Sequence, residues 1–287
     1  MENKKYRSKK GRERAVKAVI YTVLTLISIV WLIPFLLLIL QSFNGESGGS
    51  YSDSIFPSVW TFDNYIKLFR DTDFPMWYGN TLLVSVIVTI FQTAIVLVTS
   101  YALSRLRFKL RKPLMNLMLI LGMFPGFLSM TAVYFVLKEL HLNENVLGLI
   151  LVYSASSAMQ YYICKGFFDT IPKSLDEAAR IDGASRQQVF WKIILPLAKP
   201  IIIYTVLTAF IAPWGEYMFS SLLAHGKSSV YTVAAGMKEV FLSSGGQYEY
   251  FTVFCAAAVV VSIPITALFL WLQRYYVEGI TGGSVKG

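Results

Sequence analysis

The stretch Asn80-Thr-Leu-Leu-Val-Ser-Val-Ile-Val-Thr-Ile-Phe-Gln-Thr-Ala-Ile-Val-Leu-Val-Thr-Ser-Tyr-Ala-Leu-Ser104 contains no Asp, Glu, Lys, Arg or His. A helix of that length spans the hydrocarbon core of a bilayer, roughly 30 Å thick. Five more runs of the same character lie at 18–42, 114–137, 145–164, 200–223 and 252–273. They predict an all-α membrane protein with six transmembrane helices. Its organisation is a basic N-terminal segment at 1–17, one six-span domain at 18–273 and a tail at 274–287. Composition agrees: 55% of residues are hydrophobic and 15% charged, with a mean hydropathy of +0.54. Soluble domains hold roughly 45–50% and 25%. The first run follows a basic stretch, as a signal peptide does, but it is too long and lacks a small-residue cleavage site, so it is expected to stay as an anchor.

The net charge of +9 raises the question of nucleic acid, and the positions of the basic residues answer it. Eight lie in residues 1–17, five in Arg105–Lys112, six in the 165–199 loop and two in the tail. The alternate loops, 43–79, 138–144 and 224–251, hold five, fewer than their nine acidic residues. The positive-inside rule therefore predicts that both termini and the 165–199 loop are cytoplasmic. The charge excess is a topology signal that also meets anionic lipid, and no nucleic-acid motif accompanies it. The Gly/Ser stretch from Asn44 to Ser54 reads as a flexible outer loop.

Catalytic chemistry is missing from the sequence. His141 and His225 fall in outer loops, and no HExxH helix, GxSxG elbow or pair of intramembrane carboxylates is present. Cys164 and Cys255 sit in apolar runs and read as small core residues, with no metal spacing. A P-loop is also missing, so the chain is expected to bind no cofactor, and any ATP hydrolysis belongs to another subunit. One ionisable residue lies within a span: Glu216, in Ala212-Pro-Trp-Gly-Glu-Tyr217. A carboxylate there faces a water-filled path or a partner by default. Counted from Pro200 at ~1.5 Å per residue, it lies about 24 Å from the inner edge, so the alternative, that it simply reaches the outer interface, stays open. Pro213 and Gly215 loosen the helix beside it, as Pro125-Gly126 does in the third span. Trp214, Glu216, Tyr217 and Pro125 are thus the candidate translocation path.

The 165–199 loop carries two sets of helix signals. Ser174-Leu-Asp-Glu177 reads as a capping box, which predicts a helix from near Leu175 to Asp182-Gly183, where glycine takes the left-handed conformation that closes it. Ser185-Arg-Gln-Gln188 is a second box, predicting a helix to about Leu195 that stops at Pro196. Val189, Phe190, Ile193 and Ile194 recur at helical spacing, so one face packs on the membrane domain while Arg186 and Lys192 stay wet. The first helix, with two alanines among its charges, is a poor membrane-surface helix because it offers carboxylates to an anionic leaflet. It reads as a docking element rather than an amphipathic hairpin on the headgroups.

Glu177-Ala-Ala-Arg-Ile-Asp-Gly-Ala184, followed by Phe190, Ile193, Leu195-Pro196 and Pro200, resembles the EAA loop of the membrane subunits of ATP-binding-cassette (ABC) importers. Over essentially the whole chain, Val233-Ala-Ala-Gly-Met237, Ser262-Ile-Pro-Ile-Thr266 and the tail Val277 to Gly287 look like the smaller membrane subunit of the maltose and maltodextrin transporter. The resemblance implies a type I ABC importer permease fold in a bacterial plasma membrane. It implies that Glu177, Ala178, Ala179, Arg180, Asp182 and Gly183 form a coupling helix seated in a cytoplasmic ATPase, where Glu177 and Arg180 make polar contacts and the alanines permit a close fit. It implies that Gly282, Gly283, Val285, Lys286 and Gly287 contact the ATPase pair, although Ser284 stands where the family commonly has glycine.

The partners implied are a larger homologous permease, two ATPase subunits that hold ATP and Mg, and an extracellular sugar-binding protein that delivers an oligosaccharide. The 224–250 outer loop corresponds to a segment that enters the cleft of the binding protein, with Ser243-Ser-Gly-Gly-Gln-Tyr248 as a flexible tip. The chain is then a transport subunit, not an enzyme, and couples ATPase closure to alternating access. A galacto-oligosaccharide or raffinose-type sugar is an open alternative for the substrate. An ion-coupled secondary transporter is the rival mechanism, against which the scarcity of intramembrane charge argues.

Overall fold

Backbone amides and carbonyls in an apolar run find no water, and a helix is the conformation that satisfies them within the segment. The computed structural model describes residues 2–46, 55–123, 125–243 and 249–284, and helices make up most of each of the six runs. The elements are α1 (Glu2–Ser42), the short α2 (Asp63–Arg70), α3 (Phe74–Arg105), α4 (Arg111–Met123), α5 (Gly126–Glu139), α6 (Val146–Ala155) and α7 (Ala158–Thr170). There follow α8 (Lys173–Ile181), α9 (Arg186–Leu197), α10 (Lys199–Gly215) and α11 (Met218–Ala224). A short helix, α12 (Val233–Gly236), runs into a π turn at Met237–Phe241, and α13 (Phe251–Ser284) ends the fold.

Among the described residues, four helical stretches are long and apolar enough to cross a membrane: Arg14–Ser42, Phe74–Arg105, Val146–Thr170 and Phe251–Gln273. The six predicted spans are reached when two bent pairs each count as one, and the bends refine the expected boundaries. The third span is broken by more than 40° between α4 and α5, where Pro125 stands before α5. Proline there has no N–H to continue the ladder. The fifth span does not run unbroken to 223 as expected. An 81° corner between α9 and α10 precedes it, and within it the helix stops at Gly215 and resumes as α11 at Met218. The fourth has a short break at Ser156–Ser157 that the sequence reading did not anticipate. Helix α13 continues past the expected end at 273, so Gly282 and Gly283 lie on its backbone, while Val285, Lys286 and Gly287 lie outside the described residues.

Helix α3 is the hub, packed by α10, α7, α6 and α12, while α13 lies against α1 and α10. At its first end, Phe74 and Trp77 pack with Trp214, Val233, Phe241 and Val253. At its middle, Val84 and Val88 meet Leu137, Leu149, Phe219 and Leu223. Towards its last end, Val96 and Leu97 meet Phe168, Val189, Phe190, Ile194 and Ile201. Cys164 and Cys255 are free and buried, as expected of core residues. Buried and half-buried polar side chains stitch the helices together: Gln92 donates to Ser157 Oγ at 2.7 Å, Gln160 to Thr208 Oγ1 at 2.8 Å, and Ser100 to the Tyr161 carbonyl at 3.0 Å. The apolar surface of α1 from Val16 to Leu36 is exposed, as suits a lipid-facing span.

The segment after α11 departs from a free outer loop. Asn80 donates to the carbonyls of Ser229 and Tyr231, Thr81 Oγ1 accepts from the Val233 amide at 2.7 Å, and Val233, Ala235, Met237 and Phe241 are buried. Its apolar residues seat it on α3 instead of leaving it extended. Of the stretches expected to be flexible, Asn44–Ser54 and Ser243–Tyr248, residues 47–54 and 244–248 lie outside the described residues, and Asn44 departs from the expectation: it is buried, bridged to Trp60 and hydrogen-bonded to Gln41.

Candidate functional site

The hairpin of α8 and α9 is built by two local devices. Gly183, at φ +85°, closes α8: the Ala184 amide donates to the Ala179 carbonyl at 2.9 Å and the Gly183 amide to the Arg180 carbonyl at 3.1 Å. These two bonds are a Schellman closure, which needs a residue that tolerates positive φ. Ser185 then starts α9 with the complete capping box: its Oγ accepts from the Gln188 amide at 3.3 Å, while Gln188 Oε1 accepts from the Ser185 amide at 2.7 Å. The other expected box is not formed. Helix α8 begins at Lys173 after Pro172, with no side-chain cap, which places Ser174 within the first turn. Pro172 presets the chain direction and takes over the start.

Nor does α9 stop at Pro196. A π turn at Phe190–Ile194 carries the chain into Leu195–Leu197, where Pro196 lies in a first helical turn and its missing N–H is tolerated, and the corner comes at Ala198. Val189, Phe190 and Ile194 are buried and Ile193 half-buried, while Arg186 and Lys192 are exposed, as the spacing predicted. Of the residues proposed to dock, Glu177, Ala178, Arg180, Asp182 and Gly183 are exposed. Ala179 is different: it is half-buried against the core of the hairpin, so its small size serves internal packing. Ile181, 86% exposed, completes the outward surface, and the sequence reading did not single it out.

The hairpin is tied to the bundle by charge. Arg105, the last residue of α3, places Nε 2.7 Å from Asp176 Oδ2 and donates from Nη2 to the Ile171 carbonyl at 2.9 Å. Ser104 donates to Asp169 Oδ1 at 2.6 Å, and Lys165 Nζ lies 2.5 Å from Asp169 Oδ2. Burial holds the Asp176 carboxyl above the usual carboxylate range; Arg105 opposes the shift and Glu177 adds to it. A cleft of about 500 Å³ opens here, lined by Arg105, Arg107, Lys173, Arg180 and Arg186 against Asp176 and Glu177. Its cationic excess suits an acidic surface.

The second candidate group lies at the break after α10. Glu216 takes an extended conformation, and its carboxylate receives the Phe219 amide at 2.8 Å, the Ser220 amide at 3.3 Å and the Tyr153 hydroxyl. It is half-buried and serves as the acceptor for the start of α11. This gives the charge a structural reason for its position. Trp214 is buried edge-on to Tyr78 at 5.3 Å, with its indole N–H unpartnered among the described residues. Tyr217 is exposed beside Lys238, whose Nζ is 5.9 Å from the ring centre. Pro125 is exposed at the start of α5 and is not among the side chains that contact Glu216. No group of His, Cys, Asp and Glu able to hold a metal occurs among the described residues.

The chain is thus a bundle of apolar helices with an exposed, glycine-closed hairpin between two of its spans. The family model described as "Binding-protein-dependent transport system inner membrane component" matches residues 94–282, and the chain belongs to that family, the permease subunits of ABC importers. It is 36% identical to the maltodextrin transport system permease protein MdxG of Bacillus subtilis (strain 168), over 93% of this chain and 95% of that protein. It is 34% identical to the maltodextrin permease MalD of Streptococcus pneumoniae (strain ATCC BAA-255 / R6), over 97% and 98%. It is also 34% identical to the galactooligosaccharides permease GanQ of Bacillus subtilis (strain 168), over 93% and 94%. A crystal structure of a bacterial ABC transporter that imports the acidic polysaccharide alginate has the same fold, with a TM-score of 0.78 at 23% identity over 92% of this chain and 97% of that one. The protein is a multi-pass bacterial membrane protein and a sugar permease of the ABC importer class.

Proposed function

We propose that the chain is the smaller of two permease subunits in an importer of maltodextrin-type oligosaccharides, and that the α8–α9 hairpin receives the motion of separate ATPase subunits. One observation carries this reading: Glu177, Ala178, Arg180, Ile181 and Asp182 face outward on a helix that buries none of its own residues, while α9 anchors in the bundle core. Ile181, 86% exposed amid these charges, is an apolar side chain that a docked partner would cover. ATP and Mg belong to that partner, and both termini share its side of the membrane, as the distribution of basic residues favours. Closure of the ATPase pair moves α8, the bundle alternates its access, and an external binding protein delivers the sugar. Trp214, Glu216, Tyr217 and Pro125 stand as candidates for the path, and the tail from Gly282 to Gly287 as a contact to the ATPase pair.

Maltodextrin is favoured because two relatives covering nearly the whole chain are maltodextrin permeases, and GanQ at 34% identity makes a galacto-oligosaccharide the second reading. The test is to purify the tagged chain with its partners and load ATP into vesicles that hold the complex. Labelled maltotriose should enter only with ATP inside. Entry of a labelled galacto-oligosaccharide in its place establishes the second reading, and uptake driven by an ion gradient without ATP overturns both.

A further inference from the structure

We propose that Arg105 is the positioning residue through which movement of α8 reaches the hub helix α3, by way of its ion pair with Asp176 and its bond to the Ile171 carbonyl. The inference rests on the coupling reading above. Helix α8 is nearly unanchored by apolar contact: Ala179 is half-buried, whereas Leu175 is 41% and Ile181 86% exposed. What holds it is the guanidinium of Arg105, whose side chain is 4% exposed, set between Asp176 in the first turn of α8 and Ile171 at the end of α7. One side chain thus grips both sides of the Ile171-Pro172 corner from which α8 departs. Because Arg105 is the last residue of α3, displacement of that corner acts on the helix against which α6, α7, α10 and α12 all pack.

The alternative is that the pair merely stabilises the hairpin. Buried ion pairs are poor stabilisers unless the remaining polar atoms are also paired, because desolvation offsets the attraction. Here Arg105 Nε and Nη1 and Asp176 Oδ1 have no hydrogen-bond partner among the described residues, so Arg105 and Asp176 are held by charge at close range and not by a hydrogen bond. An apolar contact would fasten α8 as well at lower cost. The pair instead supplies an electrostatic tie between two named points on separate helices, and the bond from Nη2 to the Ile171 carbonyl fixes where the guanidinium sits.

The test uses the complete transporter in vesicles, with ATPase co-purification and sugar imported per ATP hydrolysed both measured. Arg105→Gln should keep the ATPase bound and lower the transport ratio on the order of tenfold, the usual scale of a coupling between sites. Arg105→Lys, which keeps the charge, should recover most of it. If Arg105→Gln fails to fold, the ratio is read on Asp176→Asn, which removes the charge at constant volume. An assembled complex with an unchanged ratio overturns the inference and leaves the coupling reading standing. Loss of the ATPase from Arg105→Gln also overturns it, because Arg105 would then act in docking. If the unaltered chain retains no ATPase, the coupling reading itself falls.

Discussion

Gly236 lies against the indole of Trp77 so closely that a Cβ built on it comes within 2.1 Å of the ring carbon Cδ2. The ring has little room to withdraw. Trp77 is 1% exposed, packs edge-on to Tyr231 and Phe241, and donates from Nε1 to Ser228 Oγ at 3.0 Å. Gly236→Ala should therefore destabilise the protein by about 1–3 kcal/mol, the range for overpacking a closed site. Thermal unfolding in detergent measures it, and a wild-type midpoint would mean that α12 is not seated on α3 as described.

The carboxylate of Glu216 satisfies two amides at the start of α11 and the Tyr153 hydroxyl of α6. Removing it leaves three donors without that acceptor, and hydrogen bonds to a charged group contribute about 1.5–3 kcal/mol each. Glu216→Ala should be markedly less stable than Tyr153→Phe, which removes one donor and leaves the amides capped. If the two unfold alike, the amide contacts contribute little and Glu216 is held mainly by Tyr153.

The two predicted capping boxes separate what is legible in the sequence from what is not. Ser185→Ala should cost about 1 kcal/mol, the usual loss of an N-cap. Ser174→Ala should lie within about 0.5 kcal/mol of wild type, as for surface substitutions elsewhere. Equal losses in unfolding would contradict the start of α8 at Lys173. Both boxes look alike as strings because the pattern records spacing, whereas Pro172 decided the backbone entering α8. Apolar runs, the Gly183 turn and the buried face of α9 were readable for the same reason: each is a local period or a local backbone requirement. The break at Ser156–Ser157, the seating of Val233–Phe241 on α3 and the Arg105–Asp176 pair depend on residues far apart in the chain, and no short pattern encodes them.

Gly183 is constrained by backbone angle and not by space, since nothing lies within 4 Å of an added Cβ. At φ +85° a β-branched residue costs roughly 1–2 kcal/mol, and Asn much less. Gly183→Val should leave the subunit inserted and abolish ATP-driven uptake, while Gly183→Asn should retain a substantial part of it. Wild-type uptake by Gly183→Val would remove the turn from the mechanism. Equal loss in both variants would point to the exposed surface rather than the turn.

Asp176 predicts a pH dependence with two opposite signs. Burial raises its pKa from the ordinary 3.8; Arg105 and Lys173 oppose the shift, and Glu177 assists it. A folded pKa above the unfolded value means that the folded state takes up the proton first as pH falls. This group's contribution to stability is therefore full below the unfolded pKa and is lost as pH rises through the folded one. The ion pair with Arg105 behaves in the opposite sense, because protonation removes it. Acidification should thus reduce sugar imported per ATP at a higher pH than an ordinary aspartate would, without loss of folded protein from this residue. The pH profile of that ratio in vesicles checks the point, with Asp176→Asn as the control. The variant should have a low ratio and lack the acid-side step, because it has no proton to gain. An identical step in both proteins would assign it to another group and detach Asp176 from the coupling.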